Sequence, residues 1–263
     1  CLPNYQVFDE RRYFAPGTET CVFEVAGTRL GLLICEDAWF EAPAAAAVAA
    51  GADVLVVINA SPFHLGKSEQ REATMCARAQ ACARPLIYAH LVGGQDEVVF
   101  EGRSFMATAN GQVVARTPGF EEAVVTWPLS LVFDEQPDTA HLAPLDGEMA
   151  DLWRTLVMGV RDYVEKNRFP SVVLGLSGGI DSAVVMAVAV DALGADRVRA
   201  VMMPSPYTAD ISWIDARDMA KRLNVRYDEI DIAPHFETFK RSLATEFEGL
   251  SEDTTEENLQ ARI

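Results

Sequence analysis

Two α/β domains in series are predicted for this 263-residue chain, the first built on a mixed sheet and the second on a parallel, doubly wound one. Three observations carry the prediction. Up to about residue 130, short apolar runs alternate with helical stretches and then give way to a hairpin, which suits a mixed sheet. Residues 134–146, "DEQPDTAHLAPLD", are polar and proline-containing with no periodicity, as a linker is. Beyond them a βαβαβ series begins, and its first strand runs straight into Ser-Gly-Gly.

The elements follow in order. "RLGLLICE" is a strand ending at Cys35, and "EAPAAAAVAAGA" a helix with Pro43 near its start and Gly51 near its stop. "DVLVVINAS" is a buried strand running into a polar loop, followed by the helix "KSEQREATMCARAQACAR" and the strand "PLIYAHLV". "VVFEGRSFMATANGQVVAR" reads as two strands joined at Asn110-Gly111, a pair suited to a φ > 0 turn. After the linker, Met149, Leu152, Trp153, Leu156, Val157, Val160 and Val164 recur at three- and four-residue spacing and predict an amphipathic helix. Strands at 171–176, 198–204 and "RYDEIDI", with helices between them, complete the second domain, and "EENLQARI" closes the chain as a helix. The two halves show no internal repeat.

Composition narrows the function. With 22 Lys and Arg against 39 Asp and Glu, the formal charge of −17 speaks against nonspecific binding to nucleic acid or anionic membranes. Nucleotide substrates remain open, because a few N–H groups, a metal and local cations suffice to hold them. Five cysteines, odd in number and without a CxxC pair, suit reduced thiols in a cytoplasmic protein. The apolar stretches fall short of a membrane span, and no signal peptide is visible. A first residue that is Cys and a last segment that is helical make both ends look cut.

"LGLSGGIDSA" (174–183) is the most informative stretch. A buried strand ends in Ser-Gly-Gly and a helix starts at about Ile180 or Asp181, so a tight turn presents N–H groups and a helix N-terminus to an anion. Ser177 and Ser182 can donate to phosphate oxygens. Asp181 is out of place beside phosphates unless Mg²⁺ lies between them. The bland alternative is a Gly-rich turn with Asp181 in a favourable first helical turn; the full string S-G-G-I-D-S, in a strand-before, helix-after context, outweighs it. The string lacks the GK[ST] ending of a Walker A loop. It resembles the pyrophosphate loop of the ATP pyrophosphatase family, and "MPSPYTADIS" (203–212) with "EENLQAR" (256–262) resembles the synthetase domain of NAD⁺ synthetases. The resemblance implies ATP at Gly175, Leu176, Ser177, Gly178, Gly179, Ile180, Asp181 and Ser182, Mg²⁺ at Asp181, and deamido-NAD⁺ at Asn258 and Arg262. Taken alone, the last two would be read as an exposed helix face with i, i+4 polar residues.

Cys35 by itself reads as a core thiol, since free cysteine is among the most buried residues, and the adjacent Glu36 and Asp37 disfavour a thiolate. Four strings reverse that reading. "LPNYQVFDERRYF" (2–14), "ICEDAW" (34–39), "NASPFHLGK" (59–67) and "VGGQDEVVFEG" (92–102) resemble the glutaminase domain of glutamine-dependent NAD⁺ synthetases, members of the nitrilase superfamily. That resemblance implies a partial α/β/β/α sandwich followed by a partial doubly wound ATP-pyrophosphatase domain, divided as 1–133, a linker at 134–146, and 147–263. It implies Cys35 as the nucleophile, with Tyr5, Ser61 and Lys67 holding glutamine. Tyr5 and Ser61 offer hydroxyls, Lys67 a cation for a carboxylate, and the Glu36 N–H a donor to the oxyanion. His90 departs from the family's frequent Asn, with a local effect on sheet packing expected. The triad Lys and Glu of the family would precede Cys1, so this chain alone is expected to lack useful glutaminase activity. Glu10 is an alternative auxiliary acid, though "VFDERRYF" reads more readily as an exposed charged turn.

The reaction implied is amidation of deamido-NAD⁺ at the expense of ATP, with ammonia from glutamine, by a cytoplasmic homo-oligomer. Two rivals stand beside it: another amidotransferase synthetase with the same ATP loop, such as a GMP or asparagine synthetase type, and a non-catalytic regulatory or scaffold protein that retains both folds.

Overall fold

The computed structural model describes residues 1–2, 9–134, 140–251 and 253–263. They form two compact units, Cys1–Gly159 and Val160–Ile263, dividing within one long helix.

The first unit is organised by six strands in the order β1-β2-β3-β4-β7-β8. They are β1 (Cys21–Val25), β2 (Thr28–Ile34), β3 (Val54–Asn59), β4 (Leu86–His90), β7 (Phe105–Ala107) and β8 (Val113–Arg116). The neighbours β2-β3 and β3-β4 are parallel, while β1-β2, β4-β7 and β7-β8 are antiparallel. The parallel pairs need crossovers, supplied by α1 (Glu41–Ala49) and α2 (Lys67–Cys82). Alanine makes α1 thin enough to lie close on the sheet: Ala44, Ala47 and Ala52 are fully buried. Gly31 of β2 is required beneath it, since a Cβ there would approach Ala52 Cβ to 2.8 Å. Leu33, Val57, Tyr88 and Phe105 point to the helical face, where Tyr88 and Phe105 stack at 5.0 Å. The opposite face carries the paired Ile34 and Ile58, which are largely exposed. Residues 127–133 cover its far end through Trp127, Leu129 and Val132.

Residues 98–116 hold three strands rather than two. β6 (Val98–Glu101) turns back through Asp96 and Glu97 onto β5 (Val92–Gln95), and these two form a separate ribbon. The pair β7-β8 is the hairpin read at Asn110-Gly111, with Gly111 at φ +75°. β1 went unread because its single half-buried side chain gives no alternation; it is an antiparallel edge. In the linker, residues 141–143 bond to Arg116 of β8: its N–H donates to His141 O and its carbonyl accepts from Ala143 N–H.

The amphipathic helix is α3 (Glu148–Lys166). The second unit then runs β9 (Val172–Gly175), α4 (Ile180–Leu193), β10 (Val198–Met202), α5 (Asp210–Arg222), β11 (Arg226–Glu229), α6 (Ala233–Leu243) and α7 (Thr254–Gln260). Its three strands are parallel in the order β11-β10-β9. Met186 and Ala189 of α4 and Ala216 and Ala220 of α5 pack on Val198, Ala200 and Met202 of β10. Among the described residues no helix is long and apolar enough to cross a membrane.

Candidate functional site

Parallel strands direct their carboxyl ends toward one edge, where chemistry collects. The register across β2, β3 and β4 pairs Ile34 with Ile58 and Asn59 with His90, so Cys35, Asn59 and His90 form the next row at that edge. Cys35 sits at φ +44°, in the left-handed region, and opens a short 3₁₀ turn to Trp39. A side chain accepts that strain where the turn must present it. Asp37 ties the turn down by accepting from the Ile34 N–H at 3.1 Å.

Burial pushes the Cys35 thiol up; the N–H groups of Ala60 and Glu36 pull it down, the Glu36 carboxylate raises it and Arg71 lowers it. The Glu36 carboxylate therefore does act on the sulfur, while its backbone N–H is placed as an oxyanion donor would be. Lys67 opens α2, and its ammonium lies 4.3 Å from the centre of the Trp39 ring. Burial and Arg71 hold the Lys67 amine below its usual range, against the opposing fields of Glu36 and Cys35.

Ser61 is fixed by His90. The neutral tautomer that suits the geometry donates from Nδ1 to Gly102 O at 2.8 Å and accepts at Nε2 from the Ser61 N–H at 3.2 Å. Burial and Arg71 push His90 down to about 4. The histidine thus reaches beyond sheet packing to a residue expected to hold glutamine. Because the folded state resists a proton that the unfolded chain accepts near pH 6.5, His90 contributes stability above that pH and loses it as pH falls toward 4. The expected loss from this group is about 2 kcal/mol between pH 7 and 5. Urea midpoints should fall less over that range in His90→Asn than in the wild type; equal falls refute it. Tyr5 lies outside the described residues, and Glu10 sits in an exposed turn (10–12).

Sequence reasoning missed a buried polar group beneath the thiol. Arg71, Met75 and Ala79 are the buried stripe of α2, so Arg71 stands where the period calls for an apolar side chain. It bonds Glu101 at 2.7 Å, both being buried, and Glu101 also accepts from Ser68 Oγ at 2.8 Å. That broken period was the one available signal.

In the second unit the strand–turn–helix stands as read. Gly178 has φ +79°, Gly179 caps α4, and Asp181 lies exposed in its first turn. Ser177 and Ser182 brace the turn: the Ser177 N–H donates to Ser182 Oγ at 3.2 Å, Ser182 Oγ to Gly179 O at 3.0 Å, and the Gly179 N–H to Ser177 Oγ at 3.3 Å. Gly175 ends β9 and Leu176 is anchored by its N–H to Val201 O at 2.8 Å, which leaves Ile180 exposed at the mouth of the loop. Ser205 of the 203–212 string bonds Gln260 of α7, bringing the string to the terminal helix. Asn258 is exposed on that helix and Arg262 just past its end, and both bond the helix backbone, Nδ2 to Thr254 O at 2.9 Å and Nη1 to Asn258 O at 2.7 Å. No group of three or more His, Cys, Asp or Glu able to hold a metal occurs among the described residues.

A thiol in a strained turn at the carboxyl edge of a mixed sheet, followed by a strand–Gly-Gly–helix turn on a separate parallel sheet, defines a nitrilase-like α/β unit joined to a second unit with a parallel sheet. The chain belongs to the carbon-nitrogen hydrolase family, whose model matches residues 2–137, and the NAD synthase model matches residues 152–263. A glutamine-dependent NAD(+) synthetase of Xylella fastidiosa is 45% identical over 99% of this chain and 48% of its own length. One from Thermotoga maritima is 37% identical over 100% of this chain and 51% of its own. A solved glutamine-dependent NAD+ synthetase from Acinetobacter baumannii, in complex with adenosine diphosphate, superposes with a TM-score of 0.89 at 40% identity, covering 100% of this chain and 50% of that one. The chain thus spans about half the length of the curated relatives it matches.

Proposed function

We propose that the protein carrying this chain makes NAD⁺ from deamido-NAD⁺ and ATP, using ammonia from glutamine. The observation that carries the reading is the pairing, in one chain, of Cys35 at the sheet edge with the Ser177–Ser182 turn, in the order found in the relatives. Residues 1–133 supply the glutaminase part and 147–263 the synthetase part, with 134–146 between them. The protein works as a cytoplasmic homo-oligomer.

In the first part Cys35 sulfur attacks the amide carbon of glutamine and ammonia leaves, giving a γ-glutamyl thioester that water hydrolyses. Ser61, Lys67 and Tyr5 hold the substrate, and the Glu36 N–H donates to the tetrahedral oxyanion. In the second part the nicotinate carboxylate attacks the α-phosphorus of ATP bound over Gly175–Ser182, and pyrophosphate leaves. Ammonia then attacks the activated carbonyl carbon and AMP leaves. Glycine at 178 lets the turn lie close against α5, since a Cβ there would meet Ser212 backbone. Mg²⁺ fits a site with a single carboxylate, since it binds through one or two carboxylates plus substrate phosphates. Asp181 would hold it, and the ion would offset charge on the leaving pyrophosphate. Asn258 and Arg262 bind deamido-NAD⁺ after exchanging their helical backbone bonds for the ligand.

With saturating Mg-ATP and deamido-NAD⁺, Cys35→Ala is expected to abolish NAD⁺ formation from glutamine and leave formation from ammonium unchanged. Glutamine-supported synthesis surviving the substitution overturns the assignment of the thiol. Preferential adenylation of xanthylate or aspartate overturns that of the substrate.

A further inference from the structure

We propose that Arg71 is a positioning residue for Cys35: a fixed, buried cation, held by Glu101, that favours the attacking, anionic form of the sulfur against the burial that opposes it. The inference rests on the reading of Cys35 as the nucleophile and adds a residue to that site.

Placement comes first. Lys67, Arg71, Met75 and Ala79 follow one another at four-residue spacing along α2, and the last three are buried against the sheet. Leu33, Val57 and Tyr88 form one row of that sheet, and Cys35, Asn59 and His90 extend the same face two residues further on. The Arg71 guanidinium lies 5.9 Å from the centre of the Tyr88 ring, and the Tyr88 and His90 rings are themselves 5.9 Å apart. The guanidinium therefore sits one helical turn beyond Lys67, beneath the row that ends in the thiol.

The way this cation is held argues against a purely structural purpose. Arg71 is 1% exposed, yet only Nη1 is paired, with Glu101 Oε1. Its Nε and Nη2, both amide atoms of Asn59, Tyr88 Oη and Glu101 Oε2 are buried without a hydrogen-bond partner. Each such atom costs about 1–3 kcal/mol, and an apolar pair of the same volume would often be more stable. A methionine in the Met75–Ala79 stripe would complete the core. A charge kept at that cost acts on the groups around it, and Cys35 is among those that feel its field.

The groups that face Cys35 come from every element around it: Glu36 from its own turn, Lys67 and Arg71 from α2, and neutral Tyr88 and His90 from β4, with Glu101 of β6 behind Arg71. Glu36 opposes the thiolate; Arg71 favours it. Lys67 can lose its proton, and burial eases that loss, whereas a guanidinium keeps its charge throughout the working pH range. Arg71 thus adds a constant field to the Ala60 and Glu36 N–H groups, which together oppose burial and the Glu36 carboxylate.

The test is the pH–rate profile of iodoacetamide alkylation in this chain, read separately at Cys35, Cys76 and Cys82 by peptide mass. In Arg71→Met the Cys35 rate at pH 7.5 should fall several-fold and the profile should move to higher pH. Arg71→Lys should restore most of the rate. Arg71→Met/Glu101→Gln, which leaves no unpaired charge and so retains the fold, should stay slow. Cys76 and Cys82 should not move in any of them, because the cations that face them are Arg116 and, for Cys82, Arg78 and Arg84. A wild-type Cys35 profile in the double variant, or a loss that Arg71→Lys does not reduce, overturns the proposal. A glutamine-analogue alkylator that labels another cysteine, with the Cys35 profile still shifted, defeats the functional reading and leaves the role of Arg71 standing.

Discussion

Gly178→Ala is expected to weaken ATP binding by the second unit at least about thirtyfold while leaving alkylation of Cys35 unchanged. The reason is a contact with backbone, which cannot yield as a flexible side chain can. A Cβ at 178 would stand 2.3 Å from the carbonyl oxygen of Ser212, 2.7 Å from its Cα and 2.8 Å from its carbonyl carbon. Ser212 lies in the first turn of α5, so the added methyl drives the phosphate turn away from α5 and tilts the braced Ser177, Gly179 and Ser182 with it. The left-handed φ of +79° adds about 1–2 kcal/mol of strain for an L side chain. Together these should weaken ATP at least about thirtyfold, or about 2 kcal/mol. Gly194 provides the control, because it has φ +81° after α4 but nothing within 4 Å of its Cβ position. In Gly194→Ala only strain remains, so thermal stability should fall slightly and ATP affinity should hold. Calorimetric titration of both variants decides: equal losses of affinity would show that strain, and not contact with Ser212, sets the turn.

How much of this was legible depends on whether a feature is local. The strand–Gly-Gly–helix turn is written in consecutive residues, each with its own backbone requirement, and it folds as read. The same holds for the Asn110-Gly111 hairpin. Cys35 was legible only through strings that resemble a family, because nothing in "ICEDAW" itself announces a nucleophile. What the string does encode, a residue forced to φ +44° at a strand end, becomes visible only in three dimensions. The β5-β6 ribbon was lost because its pairing is short and its turn, at Asp96 and Glu97, carries no glycine to mark it. Arg71, Glu101 and His90 were misjudged for a further reason. Their meaning lies in long-range pairing: residues 30 positions apart join Arg71 to Glu101, and 29 join His90 to Ser61. A period broken by a charge says that something polar is buried, but not what it meets.

The largest loss of folding stability is expected from Arg103→Met, about 3–5 kcal/mol. Arg103 follows β6 and is 3% exposed. Its guanidinium forks onto Asp151, with Nη1 to Oδ2 at 2.7 Å and Nη2 to Oδ1 at 2.6 Å, and Nη1 also reaches Ser68 Oγ at 3.3 Å. Phe120 lies under it at 5.8 Å. Burial alone would lower the affinity of this guanidinium for its proton, and the bonds to Asp151 more than reverse that, so the guanidinium keeps its charge. Removing the arginine leaves a carboxylate that is mostly out of water with its partner gone, which is the costly way to break such a pair. Asp146 loses a contact as well, since it lies 3.4 Å from Arg103, but Arg154 still holds it at 2.8 Å. The first turn of α3 should then detach from the loop after β6, and with it the end of the stretch read as a linker. Arg103→Met/Asp151→Leu separates the two explanations for any loss. If the cost is the stranded charge, the double variant recovers most of the stability in urea unfolding. If the fork itself positions α3, the double variant stays as unstable as the single one. The bidentate geometry, with both oxygens of one carboxylate engaged and Ser68 linking onward to Glu101, favours recovery in stability but a looser Glu101.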